Sequence, residues 1–200
     1  LVLLNLIVEI FVLLLVLIIS VFYIVPVISS AYERQLEFER QKQLEEIRRQ
    51  AEEAEKARQQ QIRNTVRSIM NRYNCDDEEL LEIIMDQQEV MNPVVTAIVI
   101  GIESGFRRNA RNRYSGCEGL MQIHTVHKLK NPYDARSNIE FGTRYLRELH
   151  LRFGSIDLAL AGYNAGPGHV VRYGGIPNFR ETKNYVKKFN QMYEEVSLYV

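Results

Sequence analysis

The sequence lacks the features that mark several large classes of protein. It has no Trp, only two Cys and a formal net charge of zero, with 25 basic and 25 acidic residues among 200. Two Cys cannot support a disulfide-rich fold, and neither belongs to a CxxC pair, which argues against structural zinc and a thioredoxin-like motif. A chain without a basic excess also lacks the electrostatic signature of a nucleic-acid-binding protein. The length allows one domain of moderate size with an appendage.

Charge is almost absent from the first 32 residues, where Glu9 is the one charged side chain and the run from Ile10 to Ile28 has none. A helix of this length spans roughly 28 Å at about 1.5 Å per residue, close to the hydrocarbon core of a bilayer. A cleaved signal peptide usually has a shorter apolar stretch, and a buried core helix rarely runs this long without a polar face. We therefore predict a transmembrane anchor over residues 1–30, with Pro26 near the exit of the helix.

Residues 31–63 have the opposite composition. Between Glu33 and Arg63 there are eight acidic and eight basic residues and neither Gly nor Pro, which predicts a long, exposed helical stalk. Pairs such as Glu45 with Arg49 each contribute only about 0.2–0.5 kcal/mol. A thin apolar seam does not favour a stable coiled coil and leaves weak self-association through the stalk open.

Residues 64–200 predict a compact, mainly α-helical domain, because Gly, Pro and Tyr return and apolar residues recur at helical spacing. Asp76 with Glu79 resembles a capping box for a helix over residues 80–85. Further helices are expected over 137–153, 156–163 and 181–196. No alternating stretch bounded by hairpin turns is evident, so no strand is predicted.

Glu103 is the first candidate for chemistry. Asn92 and Pro93 predict the start of a helix that Gly105 stops, and this helix is apolar on almost every face. Burial and the partial negative charge of the helix C-terminus both raise the pKa of a carboxyl group there, as a general acid requires. A structural ion pair with Arg107 or Arg108, or simple exposure, would be the alternative.

Several motifs follow Glu103 in a recognisable order. They are Glu103-Ser104-Gly105-Phe106, Ser115-Gly116-Cys117-Glu118-Gly119-Leu120-Met121-Gln122, Asn138-Ile139, Tyr163-Asn164-Ala165-Gly166-Pro167-Gly168 and Tyr185-Val186. Over about residues 74–190 the chain resembles the SLT-type lytic transglycosylases, which have a goose-lysozyme-like fold and cleave bacterial peptidoglycan. Between Gln122 and Asn131 the chain is shorter than is usual for that family.

The resemblance implies roles for particular residues. Glu103 matches the single catalytic acid/base of the family. Five further residues match positions that bind the substrate or line its site in that family: Ser104, Gln122, Tyr163, Asn164 and Tyr185. From the residues alone, Gln122 could instead cap a helix and Tyr163 could be a core aromatic with a satisfied hydroxyl.

The implied reaction is non-hydrolytic cleavage of the β-1,4 bond between N-acetylmuramic acid and N-acetylglucosamine, giving 1,6-anhydromuramoyl products without a cofactor. Ordinary glycosidases use two carboxylates, whereas this reaction needs one. Glu118 and Asp157 are conceivable second acids, but Glu118 stands outside the family's catalytic positions and Asp157 begins a predicted helix. A hydrolytic muramidase of the same fold and a non-catalytic wall-binding or membrane scaffold are the alternatives.

Metal binding is not expected, because the four His residues have no acidic partners at ligand spacing. A disulfide between Cys75 and Cys117 is left open. The substrate implied by the resemblance places the domain in the periplasm, on a single-pass anchor in the bacterial inner membrane, with glycan strands and the membrane as partners. The positive-inside rule argues against this orientation, because the basic residues nearest the anchor, beginning with Arg34, lie on the domain side.

Overall fold

The structure is a computed structural model that describes residues 2–197. The chain divides into two units, residues 1–56 and residues 57–200. The two units are described in turn.

The first unit is helical, and none of its described residues is buried within the chain. Helix α1 covers Val2–Ile19, one π-helical turn covers Ser20–Ile24, and helix α2 begins at Val25 and continues to Asn71. The expected helix exit at Pro26 is wrong, because α2 runs through this proline. The Val25 N–H donates to the Ser20 carbonyl just before the proline, and such a π-helical turn is a common way to adapt a helix to a ring that lacks an N–H.

One helix in the described part of the chain is long and apolar enough to cross a membrane, judged by length and composition. Its apolar stretch consists of exposed Leu, Ile, Val and Phe side chains. Water solvates such a surface poorly, so this stretch calls for an apolar environment.

The charged part of the first unit carries ion pairs along one helix. Arg49 pairs with Glu46 at 2.8 Å and with Glu53 at 3.5 Å, and Arg48 pairs with Glu52 at 3.4 Å. Arg49 therefore has Glu46 and Glu53 as its ion-pair partners rather than the expected Glu45. All of these side chains are exposed, so each pair contributes at most about 1 kcal/mol.

The second unit is built mainly from helices. After the end of α2 it contains α3 (Glu78–Met85), α4 (Pro93–Glu103), α5 (Ala135–Phe153), α6 (Ile156–Ala165), α7 (Pro167–Tyr173) and α8 (Arg180–Ser197). Helix α4 lies in the core, since every residue from Pro93 to Gly101 is buried. It packs against α3 and α8, and α6 packs against α5, α7 and α8. The mainly helical fold predicted from the sequence is confirmed.

The helix starts in this unit follow their capping residues. Asn92 accepts a hydrogen bond from the Val94 N–H at 2.8 Å, with Pro93 at the first helical position, as predicted. The expected cap at Asp76 is wrong, because Asp77 accepts the bond from the Leu80 N–H at 3.0 Å. Arg108 donates to the same Asp77 carboxylate at 2.7 Å, which fixes the start of α3 against the loop after α4.

Two elements were not predicted. A three-stranded antiparallel sheet is formed by β1 (Arg111–Asn112), β2 (Cys117–Glu118) and β3 (Ile123–His124). Helix α7 begins at Pro167, inside the motif Gly166-Pro167-Gly168, whose composition is typical of a turn. The sheet lies between α4 and α5 in the sequence, and it forms one wall of the candidate site.

Candidate active site

Glu103 is the last residue of α4, at the end of the most deeply buried helix. Ser104 caps this helix and Gly105 follows with a φ of +57°, the left-handed conformation that ends a helix. The last turn exposes backbone carbonyls whose partial negative charge disfavours an ionised carboxylate. The apolar body of α4 therefore brings one carboxyl group to the edge of the core.

Tyr185 of α8 donates a hydrogen bond to Glu103 Oε1 at 2.7 Å. The packing of α4 against α8 brings these two residues together across 82 positions of sequence. Burial raises the pKa of Glu103 to about 7, opposed by the Tyr185 hydrogen bond and assisted by the nearby charge of Glu181. At neutral pH the protonated and ionised forms of Glu103 therefore coexist, which suits a group that must give and then take a proton.

Tyr163 of α6 lies close to the same carboxyl group. Its hydroxyl donates to the Met121 carbonyl at 2.8 Å. Burial and the negative charge of Glu103 raise the pKa of Tyr163 well above its ordinary value, and the same two causes act on the pKa of Tyr185. Both phenols therefore stay protonated and act as hydrogen-bond donors around Glu103.

Asn164 is held by the helix that also carries Tyr185. Its Oδ1 accepts a hydrogen bond of 2.7 Å from the hydroxyl of the buried residue Thr182. Because this bond fixes the Asn164 side chain to α8, the position of α8 sets the direction of the Asn164 amide N–H groups. Tyr163 and Asn164 thus form a polar end of α6 that is tied to the sheet loop on one side and to α8 on the other.

Gln122 occupies the loop between β2 and β3 in a left-handed conformation, with a φ of +48°. This conformation is uncommon outside Gly and is found often at functional sites. The Gln122 amide nitrogen donates to the carbonyls of Ala110 at 3.2 Å and Gly119 at 2.9 Å. These two bonds fix the amide plane, and within the described chain its Oε1 is left as an acceptor for a ligand.

Asn138 of α5 holds the loop that carries Gln122. The side chain is fully buried; its Oδ1 accepts from the Met121 N–H at 2.7 Å, and its amide donates to the carbonyls of Glu118 and Pro132. Gly119 makes this possible, since a Cβ at that position would collide with the Pro132 carbonyl and the Asn138 amide. Asn138 matched a family motif, but no role was predicted for it.

A cleft of about 480 Å³ lies beside these residues and is lined by Gln122, Tyr163 and Asn164. Its remaining wall includes residues that were not predicted as site residues: Cys117 of the sheet and the rings of His124, His127 and Tyr145. The rings of His127 and Tyr145 are 5.2 Å apart, and those of Tyr145 and Tyr163 are 5.6 Å apart. These residues come from the sheet, the turn that follows it and α5, which no local sequence pattern brings together.

The structure does not bring all six predicted site residues to this cleft. Glu103 and Tyr185 are not among the residues that line it. Tyr163, which does line it, lies near enough to Glu103 for the negative charge of that carboxylate to raise the pKa of the phenol. Ser104 is buried, and its hydroxyl donates to the Ile100 carbonyl of its own helix at 3.2 Å. The Ser104 side chain therefore faces the core in this structure.

The two acids considered as second carboxylates have structural partners. Glu118 accepts a hydrogen bond from the Tyr133 hydroxyl at 2.9 Å and pairs with Arg111 at 3.3 Å. Asp157, in the first turn of α6, accepts from the Asn190 amide at 3.1 Å. Neither carboxylate is left to face Glu103 as a second acid.

Thiols and imidazoles near the site are not joined into a metal or disulfide centre in the part of the chain that the structure describes. Cys75 and Cys117 are both free thiols. Within residues 2–197, no three His, Cys, Asp or Glu side chains are grouped closely enough to hold a metal ion. The His124 ring instead accepts a hydrogen bond from the Val126 N–H at 3.0 Å.

Comparisons with known proteins give a consistent result. A family model described as the transglycosylase SLT domain matches residues 79–186. The soluble lytic murein transglycosylases of Escherichia coli K12 and O157:H7 are each 36% identical to this chain, with 36% of this chain and 16% of the relative covered. The chain thus corresponds to a small part of these relatives.

A solved structure supports the same assignment of fold. The 70 kDa soluble lytic transglycosylase of Escherichia coli superimposes with a TM-score of 0.51 at 24% identity, covering 59% of this chain and 24% of that one. This likeness establishes a shared fold. The range matched by the family model, residues 79–186, includes the candidate site from Glu103 to Tyr185.

Proposed function

Because the chain belongs to the transglycosylase SLT domain family, we propose that it is a membrane-anchored peptidoglycan lytic transglycosylase with Glu103 as its single acid/base. The observation that carries the proposal is the partly buried carboxyl group at the end of α4, whose pKa burial raises to about 7 and which accepts a hydrogen bond from Tyr185. This carboxyl group can donate a proton at neutral pH and can be stabilised once the proton has left.

The proposed reaction begins with protonated Glu103. It donates its proton to the glycosidic oxygen between N-acetylmuramic acid and N-acetylglucosamine, and the bond from this oxygen to C1 of the muramic acid breaks. The departing strand leaves a cationic sugar centre at C1. The O–H of Tyr185 stabilises the carboxylate that has formed on Glu103, as a hydrogen bond to an ionised group is stronger than one to a neutral group.

The second step closes a ring within the substrate. The C6 hydroxyl oxygen of the muramic acid attacks C1, and ionised Glu103 takes the proton released from that hydroxyl. The product is a 1,6-anhydromuramoyl end, no water is consumed, and Glu103 returns to its protonated form. One carboxyl group is sufficient for this reaction. This agrees with the hydrogen bonds that hold Glu118 to Tyr133 and Asp157 to Asn190.

The proposed substrate contacts come from the cleft. Gln122 offers its Oε1 to a sugar hydroxyl or acetamido N–H, and Asn164 offers amide donors. Tyr163 and Tyr145 supply apolar ring faces against which a pyranose can pack. We keep Ser104 among the proposed site residues only as a support of the helix end, because its hydroxyl bonds to Ile100.

Membrane anchoring is the other part of the proposal. The division into an anchor (residues 1–30), a stalk (31–63) and a catalytic domain (64–200) rests on composition, and the exposed apolar helix at the N-terminus supports the anchor. Since peptidoglycan lies outside the inner membrane, we propose a single-pass inner-membrane protein whose catalytic domain faces the periplasm.

The test is digestion of purified peptidoglycan by the full chain in detergent, with mass spectrometry of the fragments. The parent is expected to release anhydromuropeptides and the Glu103→Gln variant none, while the control Asp157→Asn, an acid outside the site, keeps its activity. Products heavier by one water would identify a hydrolytic muramidase instead. Equal activity of the parent and Glu103→Gln would refute Glu103 as the acid/base.

A further inference from the structure

Positive charge is concentrated in the segment that builds the wall of the cleft. Residues 106–130 contain six basic residues and one acidic residue, although the whole chain is neutral. This segment includes β1, β2 and β3 and the 3₁₀ turn Thr125–His127. The excess therefore falls on one structural feature beside the site and is not spread over the surface.

Two of the six cations are committed to structural partners. Arg108 binds Asp77 and Glu79 at 2.7 and 2.8 Å, and Arg111 pairs with Glu118 at 3.3 Å. The remaining four are exposed and, among residues 2–197, form no ion pair: Arg107, Arg113, Lys128 and Lys130. These side chains can bind an external anion without breaking a contact of the fold.

The sheet register places two of the four on turns that lie beside the cleft. Asn112, Cys117 and His124 lie opposite one another across the three strands, so the β1–β2 turn that holds Arg113 extends beyond this row. The Gly116 carbonyl in that turn accepts a hydrogen bond of 3.0 Å from the Thr125 N–H. The β1–β2 turn and the 3₁₀ turn are therefore joined side by side.

The same two turns border the cleft. Cys117 and His124 line it at the end of the sheet, and Val126 and His127 line it along the 3₁₀ turn. Lys128 closes that turn, its N–H bonded to the Thr125 carbonyl at 3.0 Å and its φ at +53°. Arg113 and Lys128 are thus exposed on the two turns that border one side of the cleft, and this pair is called the cationic rim. Tyr114, next to Arg113, is fully exposed.

We propose that this cationic rim, Arg113 and Lys128, binds the carboxylates of the peptide stems that hang from the glycan strand, an inference that rests on the proposed function. Within peptidoglycan the sugar chain offers neutral hydroxyl and acetamido groups in the cleft, whereas free carboxylates belong to the stems. A rim of cations beside a nearly neutral sugar site matches a ligand that is neutral along its backbone and anionic on its branches.

The rim makes the chain selective for strands that carry stems. Arg113 can bind a carboxylate through two parallel N–H bonds and Lys128 through a single charge contact. Each exposed pair strengthens binding by at most about fivefold. Together they favour strands with stems over bare strands by roughly ten- to twentyfold at low salt, and the preference shrinks as salt screens the charges.

The test measures binding by the full chain in detergent in the Glu103→Gln background, where no cleavage is needed. The probes are labelled glycan strands with stems and, as bare strands, labelled β-1,4-linked N-acetylglucosamine oligomers, which carry neither stems nor the lactyl carboxylates that an amidase would expose. Adding Arg113→Ala and Lys128→Ala is expected to raise the Kd for strands with stems about tenfold and to leave the Kd for bare strands unchanged. The matched control removes two exposed cations that lie on α5 and α8 instead of on the two turns, Arg152→Ala and Lys188→Ala, and changes neither Kd.

The outcomes separate this inference from the proposed function. Equal binding of both strands by the Glu103→Gln parent, or an equal loss on both strands in the rim variant, would overturn the stem-binding rim. Failure of the proposed function would appear in the cleavage assay of the chain with Glu103 intact. An unchanged Kd for bare strands also reports that the rim variant is folded.

Discussion

At the scale of single residues, Glu103 links stability to pH. Burial raises its pKa from 4.5 to about 7, so the folded chain binds this proton more tightly than the unfolded chain does. The stabilising contribution is therefore fully present below about pH 4.5 and is lost as pH rises through about 7. At pH 8 Glu103 is mostly ionised in the folded chain, although burial favours its neutral form.

The first prediction is that Glu103→Gln abolishes activity and stabilises the fold at pH 8. Gln resembles the protonated acid and can still accept the hydrogen bond from Tyr185. The gain is expected to be about 3 kcal/mol at pH 8 and near zero at pH 4, from the size of the pKa shift. Unfolding of parent and variant followed by Tyr signals at pH 4, 6 and 8 measures it.

The control for this prediction is Asp157→Asn, which also neutralises a carboxylate but lies outside the site. Its stability difference from the parent should not follow the pH dependence of Glu103→Gln. A Glu103→Gln difference that is the same at pH 4 and pH 8 would contradict the raised pKa.

The second prediction concerns Tyr185→Phe. Its hydroxyl lowers the pKa of Glu103, so removing it should raise that pKa further and move the basic limb of the pH–activity profile above about 7. The ionised carboxylate would then lose a donor, and a hydrogen bond to a charged group contributes about 1.5–3 kcal/mol. We expect kcat to fall about 10- to 100-fold.

The measurement is the rate of anhydro-product formation between pH 5 and pH 9. Tyr193→Phe, an exposed Tyr on the same helix, serves as the control and should leave both the rate and the limb unchanged. A lower kcat without movement of the basic limb would show that Tyr185 acts only through packing.

At this scale, the sequence was sufficient for one part of the site and insufficient for another. The apolar run of α4 and its Asn92 cap place a carboxyl group at the end of a buried helix, and this follows from local rules. The Tyr185 contact spans 82 residues and depends on how α4 and α8 pack, which no local pattern specifies. The Ser104 hydroxyl bonds to a carbonyl one turn back in its own helix, a local contact open to any helical Ser, whereas the burial of Ser104 depends on tertiary packing.

At the scale of elements, the loop before β3 is positioned by a helix that follows it in the chain. Asn138 of α5 binds one N–H and two carbonyls of the preceding segment, including the Met121 N–H. Met121 in turn offers its carbonyl to Tyr163. The loop that presents Gln122 is therefore tied to α5 and α6 at the same time.

The third prediction is that Asn138→Ala loosens this loop. The substitution removes the Asn138 partner of one buried N–H and of two part-buried carbonyls, which costs on the order of 3 kcal/mol. Activity should fall further than stability alone explains, because Gln122 loses its fixed position. Thermal unfolding and anhydro-product formation of the full chain measure the two effects.

Asn131→Ala is the matched control, since Asn131 is exposed on the same connecting segment. It should change stability by less than about 0.5 kcal/mol. An Asn138→Ala variant with parental stability would contradict the account of the loop.

The elements differed in how well the sequence could predict them. Helices α4, α5, α6 and α8 carry apolar residues at helical spacing over two or more turns, and all were expected. The three strands have two residues each, too few for an alternating pattern to be visible. Helix α7 has seven residues and starts at Pro167, where the proline favours a first helical position as well as a turn.

At the scale of the whole molecule, the neutral total of charge is a sum of unequal parts. Residues 1–32 contain one charged side chain, residues 33–63 contain sixteen charged side chains of both signs, and residues 106–130 hold an excess of positive charge. The first feature supports an anchor and the last supports a rim at the cleft. The net charge of zero argues against binding of a polyanion, but by itself it does not reveal the anchor or the rim.

The fourth prediction is that the full chain stays in the membrane fraction after extraction with alkaline carbonate. The double substitution Leu14→Arg and Leu17→Arg should release the chain from the membrane, because inserting each Arg near the centre of a spanning helix costs about 2.5–3.5 kcal/mol. The matched control, Leu36→Arg with Leu44→Arg, places the same charges in the exposed stalk and should leave the chain in the membrane. Release of the control together with the anchor variant would show that attachment is not specific to the apolar segment.

The same chain tests its orientation, where two physical arguments disagree. Arg34, Arg40 and Lys42 follow the apolar segment and favour a cytoplasmic domain, whereas a peptidoglycan substrate requires a periplasmic one. The acidic residues interspersed among these cations do little to offset them, so the substrate has to carry the argument. An alkaline phosphatase fused to the C-terminus is expected to be active, since this enzyme folds only outside the cytoplasm. If a reporter that works only in the cytoplasm is active in its place, the domain faces the cytoplasm and Glu103 cannot reach peptidoglycan.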